Sequence, residues 1–294
     1  MINGLIELKC DFMFATIFNR EENTAKLEKF IATYFGYPYD KVHGNLKLVK
    51  RNLDKRNKRE AKKEVDLLLI LDNMKHNINI EIDSSKDQNI KNRNAMYAGG
   101  IASELNMKVG DDYSKISKTT QIAFNINSSE DNKELFIDEQ RIMSVKSEKI
   151  FTDKIEIDEI NMPLIDKLEY NLLEEKEKIV YNFIKLLLAT NEKEFERNSE
   201  ALMSKNESKD LTKQVKELSS DVRYIEMFST YKNEEDRIKG AVEYATLNAM
   251  EKGKEEGIEE EKIEVAKKML EENLDIELIC KCTNLSKEKI EALK

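Results

Sequence analysis

The chain has 294 residues, of which 36% are charged and 40% hydrophobic, and its formal net charge is −9. This length allows one large domain or two modest ones, and the hydrophobic share is enough to bury a core beneath a highly charged surface. Only nine glycines and two prolines occur, which favours long helices and argues against a loop-rich β architecture.

Two further features of the sequence argue against a membrane or secreted protein. No apolar run reaches the ~18 residues that a membrane span requires. The N-terminus also lacks the basic segment followed by an apolar one that is typical of a signal peptide. The odd number of cysteines, three, favours reduced thiols, so we expect a cytoplasmic protein without membrane contact.

The first predicted elements are a helical segment and a strand. Apolar residues recur at helical spacing over residues 11–35, with a break near residues 19–21, and Gly36 ends the segment. Residues 45–51 alternate like a strand. Asp11 is expected to cap the first helix, and the alternative is that it contributes an acid to a functional site.

A basic segment overlaps this strand. Residues 41–63 contain ten basic residues and two acidic ones. A local basic patch attracts phosphate backbone even in an acidic chain, so its members are candidate DNA contacts. The candidates from this segment are Lys50, Arg51, Lys62 and Lys63. The alternative is a solvated, lysine-rich strand and turn without a ligand.

Residues 64–83 are predicted to form a β-hairpin that carries carboxylates. An apolar strand and a turn are followed by a second strand, in which isoleucine alternates with polar residues. Side chains two apart on a strand share a face, so Glu81 and Asp83 project together. Asp66 begins the neighbouring strand. Carboxylates that converge on a sheet face are costly unless they are paired, solvated or bound to a cation.

The elements that follow complete the predicted fold of the N-terminal part. The pattern predicts a helix over residues 87–107, a strand over 119–127, and strand-like pieces at 134–137 and 154–157. This order predicts an α/β fold, a mixed sheet flanked by helices, as a first domain of residues 1–166.

The second predicted domain, residues 167–294, is mainly helical and strongly charged. Residues 192–222 are polar enough to form a mobile or exposed helical segment, and residues 234–272 are predicted to form one long helix. Residues 274–293 are predicted to form two short helices that resemble a small helix-turn-helix. We expect the C-terminal helices to join copies of the chain into a homo-oligomer.

Taken in order, several of these segments resemble one known family. The segments are the opening residues 8–18, Asp66 and Glu81 on successive strands, Arg93 and Tyr97 on a helix, Gly110 and Tyr113, the strand at 120–126, and residues 251–258 and 285–293. They resemble the PD-(D/E)xK nuclease family transposases, also described as recombination-promoting nucleases. This resemblance implies a restriction-endonuclease-like fold, DNA as the partner, and metal-assisted hydrolysis of DNA phosphodiesters in recombination or in mobile-element processes.

The same resemblance implies roles for individual residues. Asp66 and Glu81 would bind Mg²⁺ or Mn²⁺, together with the backbone carbonyl of Ile82. Hard divalent cations prefer such oxygen ligands. Arg93 and Tyr97 lie four apart on one helix face, where they could contact phosphate or brace the acids. The structural alternative makes Tyr97 a partly buried core residue and Arg93 a salt-bridge partner.

Asp83 departs from the family pattern, which has Gln or Lys at this position. An ionised aspartate cannot donate a hydrogen bond, and it adds negative charge to a site that must accept a phosphate. Asp83 could serve as an additional metal ligand or a general base, and Lys86 could supply the missing cation.

Two non-enzymatic hypotheses stay open. One is a nuclease-fold protein that binds DNA or assembles without catalysis, and the other is a helical scaffold that acts through its charged tail. The chain's two histidines, His43 and His76, have no acid or cysteine at ligand spacing, so both are expected to be surface turn residues and histidine-based catalysis is not predicted.

Overall fold

The computed structural model describes residues 4–49, 52–53, 63–83, 90–106, 112, 115–127, 134–272 and 274–293. The chain divides into two compact units, residues 1–228 and 229–294. The first unit contains the sheet and the helices against it, including those of residues 175–220.

A six-stranded mixed sheet forms the centre of the first unit. Its strands in chain order are β1 (Leu46–Leu48), β4 (Leu67–Leu71), β5 (His76–Asp83), β6 (Lys118–Asn125), β7 (Ile137–Met143) and β8 (Ile150–Asn161), while β2 (Asn52–Leu53) and β3 (Lys63–Glu64) form a separate pair. The spatial order is β1-β4-β5-β6-β8-β7, in which β5, β6 and β8 run parallel and the outer strands antiparallel. The predicted α/β fold is therefore confirmed.

Helices fill most of the rest of the described chain. They are α1 (Asp11–Phe18), α2 (Glu21–Thr24), α3 (Glu28–Phe35), α4 (Tyr39–Val42), α5 (Ile90–Asn106), α6 (Glu175–Leu187), α7 (Glu192–Glu200), α8 (Lys205–Ser220), α9 (Val222–Glu271), α10 (Ile276–Thr283) and α11 (Lys287–Glu291). Short 3₁₀ turns lie at Ala25–Leu27, Asp72–Met74, Met162–Lys167 and Tyr170–Leu172. The predicted break near residues 19–21 separates α1 from α2, and the predicted long helix begins earlier, at Val222.

One face of the sheet is apolar and carries the core. Phe124 of β6 lies 6.3 Å from Phe30 of α3 and 5.3 Å from Phe183 of α6, measured between ring centroids. Phe30 and Phe183 stack at 4.5 Å, and all three side chains are buried. Offset or tilted aromatic pairs at such distances add stability beyond the area that they bury. This cluster fixes the sheet against α3 and α6.

The opposite face of the central strands is polar and lies beneath α5. Gln121 of β6 donates a hydrogen bond from Nε2 to Asn94 Oδ1 of α5, at 2.9 Å. Farther along α5, Ile101 packs with Leu68 of β4 in a small apolar cluster. The helix is thus held over the face that carries the carboxylates of β5.

The prediction that residues 192–222 form a mobile or exposed segment was wrong. Phe195 of α7 and Leu211 and Val215 of α8 are buried. Ser204 begins α8 with a capping box, in which it pairs reciprocally with Glu207. The average composition of this segment is polar, but its few apolar residues recur on one helix face. They are therefore enough to pack the helices against the rest of the unit.

The second unit contains a small apolar cluster of its own. Ala266 near the end of α9 packs with Ile279 of α10 and with Leu285 and Ile290, and all four are buried. Asn284 ends α10 in the left-handed region, at φ 60°. The two short helices predicted for residues 274–293 are confirmed.

Two glycines of the first unit should respond in opposite ways to the same substitution. Gly36 ends α3 at φ +65°, so Gly36→Ala should lower the free energy of unfolding by about 1–2 kcal/mol because of the left-handed strain on an L-residue. Gly99 lies within α5, and a Cβ there meets no atom within 4 Å among the described residues. Gly99→Ala should therefore raise the free energy of unfolding by about 0.5–1 kcal/mol. Urea unfolding of both variants checks the opposite signs, and equal signs would contradict this account.

Candidate functional site

The candidate site lies on the polar face of β5, toward the carboxyl end of that strand. Asn77, Asn79, Glu81 and Asp83 alternate along one face, and all four are buried. β6 is parallel to β5, and its register sets Ala123 beside Glu81. This row is polar although it is buried, so each of its groups needs a partner.

Asp66 and Glu81 meet at this face, as the hairpin predicted. The backbone N–H of Asp66 donates to Glu81 Oε1 at 3.2 Å, and the backbone N–H of Ile82 donates to Asp66 Oδ2 at 2.8 Å. Asn79 Nδ2 donates to Glu81 Oε1 at 2.9 Å. The backbone of each of the two strands thus holds the carboxyl group of the other.

Both carboxyl groups are held toward their protonated form. Burial raises the pKa of Asp66 to about 7, opposed by the hydrogen bond from Ile82 and assisted by the charge of Asp11. Burial and the neighbouring Asp66 carboxyl raise the pKa of Glu81 to about 8. The positive charge of Arg93 lowers both pKa values, but burial outweighs it.

Asp83 has a different partner from the other two acids. Its Oδ2 accepts a hydrogen bond from Nη2 of Arg93 on α5, and the two groups form an ion pair. The Asp83 side chain is 1% exposed, whereas that of Arg93 is 40% exposed. The Arg93 Cζ also lies 6.0 Å from the ring centroid of Tyr97, whose pKa is raised, first of all by burial.

The sequence prediction missed two residues that support the pair, and it misplaced a third. Asn19 at the end of α1 donates from Nδ2 to the backbone carbonyl of Asp66 at 2.7 Å, and no sequence signal pointed to it. Asn79 could have been found, because it shares the strand alternation of Glu81. The predicted cap at Asp11 was wrong. Cys10 occupies the cap position, and Asp11 Oδ1 accepts a hydrogen bond from the N–H of Phe12 at 2.7 Å.

The residues present fit a hard divalent cation in part. Two buried carboxyl groups lie side by side without full charge compensation, and Asn79 Oδ1, beside Glu81, has no hydrogen-bond partner among the described residues. Mg²⁺ is commonly held by one or two carboxylates and keeps several waters. No group of three or more His, Cys, Asp or Glu side chains in the described ranges is arranged to hold a metal ion. A two-carboxylate site is therefore the arrangement that this face supports.

Several predicted contacts fall on parts of the chain for which no geometry is given. Lys50, Arg51, Lys62 and Lys86 lie outside the described residues, as do Gly110 and Tyr113. Lys63 belongs to β3, and only its backbone is described. Their contacts with DNA stay a prediction.

The two histidines differ from each other. The His43 side chain is 67% exposed, as predicted, and its Nδ1 lies 2.7 Å from Glu28 Oε2. The prediction of a surface position for His76 was wrong. It is buried at the start of β5, with Nε2 2.8 Å from Thr120 Oγ1, and burial lowers its pKa to about 3. The strand began two residues earlier than the isoleucine alternation indicated, so His76 lies in the sheet and not in the turn.

Comparisons with known proteins agree with this architecture. A family model, PD-(D/E)XK nuclease family transposase, matches residues 8–246. No curated protein and no solved structure matches the chain. Within the described residues, none of the helices has both the length and the apolar character required to cross a bilayer. Since the matched region takes in the sheet, α5 and the Asp66–Glu81 pair, the chain belongs to the PD-(D/E)XK nuclease family transposases.

Proposed function

We propose that this protein is a cytoplasmic DNA endonuclease that depends on Mg²⁺ or Mn²⁺ and acts in recombination or in mobile-element processes. The observation that carries the proposal is the buried Asp66–Glu81 pair, whose carboxyl groups are held by the backbones of two adjacent strands. Membership in this family supports a nuclease-type role, and nucleases of this kind generally use divalent metal ions.

Asp66 and Glu81 would hold the ion, with the backbone carbonyl of Ile82 as a further ligand. The ion, when bound, would polarise the scissile phosphate and lower the pKa of a water molecule. The two carboxyl groups give up their protons to bind it, since carboxylates ligate metals in the ionised form. In the hydrolysis, water adds to phosphorus and loses a proton while one P–O ester bond breaks. The leaving oxygen takes up a proton, so the products are a phosphate monoester and a hydroxyl group.

The DNA backbone would be held by the basic segment of residues 41–63, through Lys50, Arg51, Lys62 and Lys63, and by Arg93. Phosphate contacts of this type make binding steeply dependent on salt. The C-terminal helices would join copies of the chain, with the nuclease-like part predicted for residues 1–166 and the oligomerising part for residues 167–294.

A second function is favoured by one observation. The carboxylate of Asp83 pairs with Arg93, and the sequence resemblance implies that Asp83 stands where the family has Gln or Lys. Such a departure is compatible with a nuclease-fold protein that binds DNA without cleaving it.

A plasmid-nicking assay separates the two functions. We expect supercoiled plasmid to be nicked in the presence of Mg²⁺ or Mn²⁺, nicking to stop with EDTA, and Asp66→Asn to lower the rate by ~10²-fold or more. Lys216→Gln removes an exposed partner of Glu192 and serves as a control that should nick at the wild-type rate. DNA binding without nicking by the wild-type protein, unaltered in Asp66→Asn, would refute the endonuclease and leave the binding function.

A further inference from the structure

The ion pair between Asp83 and Arg93 shows how this chain supplies positive charge near the two carboxyl groups. Arg93 enters the site from α5 and not from the strand, and its charge acts on both Asp66 and Glu81. A guanidinium remains charged at any physiological pH. A cation is therefore present beside these carboxyl groups, on the helix that lies over them.

The two members of the pair have unequal access to a ligand. The Asp83 side chain is almost fully buried, so its negative charge depends on a nearby cation. The Arg93 side chain is 40% exposed. Guanidinium offers five N–H donors in a planar fork that suits the oxygens of a phosphate. Arg93 can therefore keep its bond to Asp83 and still donate to a substrate.

The direction of the Arg93 side chain is fixed from two sides. Asp83 accepts from Nη2, and the Tyr97 ring, one helical turn along α5, lies 6.0 Å from Cζ. A preorganised donor contributes more to a transition state than a mobile one, because no reorganisation is needed during the reaction.

From these contacts we infer that Arg93 is the group that contacts the scissile phosphate, and that Asp83 is a positioning residue that acts through Arg93 and not a ligand of the metal ion. The identification of the ligand as a DNA phosphate rests on the proposed function.

Metal binding in the absence of DNA tests the role of Asp83 independently of activity. In isothermal titration calorimetry with Mn²⁺, Asp83→Asn should bind the ion with an affinity within ~3-fold of wild type. Glu81→Gln should bind it at least ~10-fold more weakly. A ~10-fold or larger loss in Asp83→Asn that persists in the double variant Asp83→Asn/Arg93→Gln, in which no cation is left uncompensated, would show that Asp83 is a ligand and would overturn its role as a positioning residue.

DNA binding in EDTA tests the role of Arg93 and does not require catalysis. With a labelled 20-base-pair duplex, Arg93→Gln should weaken binding by ~10-fold and lower the slope of log affinity against log salt by about 1. Arg93→Lys should keep the slope, because it keeps the charge. Unchanged affinity and slope in Arg93→Gln would overturn the phosphate contact, even if the wild-type protein cleaves DNA. If Arg93→Gln weakens DNA binding but the wild-type protein never cleaves DNA, only the proposed endonuclease function is refuted and the phosphate contact stands.

A double-mutant cycle on cleavage tests whether Asp83 acts through Arg93. Asp83→Asn should lower kcat by ~10-fold or more, because it frees Arg93 to move. It should not raise KM, because it also removes a negative charge from a site that accepts a phosphate. In the Arg93→Gln background the same change should have little further effect. Equal effects in both backgrounds would contradict the inference. The ion pair between the partly exposed Asp221 and the exposed Arg223 offers matched controls, Asp221→Asn and Arg223→Gln, which should leave metal affinity, the salt slope and kcat unaltered.

Discussion

Glu81→Gln is expected to abolish DNA cleavage while it stabilises the metal-free protein at pH 7.5. Loss of a metal ligand should lower the rate by ~10²–10³-fold, comparable to loss of a major electrostatic group in other active sites. Glutamine keeps the shape of the side chain and can still accept the N–H of Asp66. Burial raises the pKa of Glu81 to about 8, so at pH 7.5 the folded protein keeps this group protonated whereas the unfolded chain ionises it. A neutral amide removes the free-energy cost of that proton uptake. Gain of stability and loss of activity should therefore occur in the same variant.

The measurements are plasmid nicking with Mg²⁺ and urea unfolding with EDTA, both at pH 7.5. Glu175→Gln, whose side chain is 83% exposed at the start of α6, is the matched control and should change neither. Wild-type nicking by Glu81→Gln would exclude Glu81 as a ligand. Destabilisation with loss of nicking would instead indicate a carboxylate that is ionised and satisfied in the folded protein.

The hairpin was predictable because its pattern has a period of two. Isoleucine at 78, 80 and 82 places Glu81 and Asp83 on the opposite face, whichever partner strand is present. The family resemblance then identified Asp66 as the partner of Glu81, and the structure brings the two together. Local periodicity thus gave the face of each side chain, and the resemblance related the two strands.

The partner of Asp83 was predictable only in part, because the sequence indicated that Arg93 could brace the acids or form a salt bridge but not which acid it would pair with. Its partner Arg93 lies on α5, and which turn of α5 stands above Asp83 depends on how the crossover from β5 to β6 packs. Asn19 also approaches Asp66 from a distant helix end. Such contacts depend on tertiary packing, which leaves no periodic signal in a single sequence. They are the contacts that distinguish a metal ligand from a group held in an ion pair.

The metal-free protein should lose stability as the pH rises from 5 to 8. The folded pKa values of Asp66 and Glu81, about 7 and about 8, lie above the ordinary carboxyl values of 3.8 and 4.5. Between these limits the folded state binds more protons than the unfolded state, so the free energy of unfolding falls with rising pH. The expected loss is several kcal/mol, since each unit of difference between the folded and unfolded pKa corresponds to about 1.4 kcal/mol.

Mg²⁺ should reverse this dependence, because its binding requires both carboxylates ionised and releases their protons. Urea unfolding at pH 5, 6.5 and 8 in EDTA and in 10 mM Mg²⁺ measures both slopes. The double variant Asp66→Asn/Glu81→Gln isolates the pair from other groups, such as His76, whose low folded pKa of about 3 adds an opposite slope below pH 6.5. In EDTA the difference between wild type and this variant should grow toward pH 8, and in Mg²⁺ it should change sign. If the wild-type protein gains stability relative to the variant toward pH 8 without metal, the two carboxyl groups are already compensated and have no need of a cation.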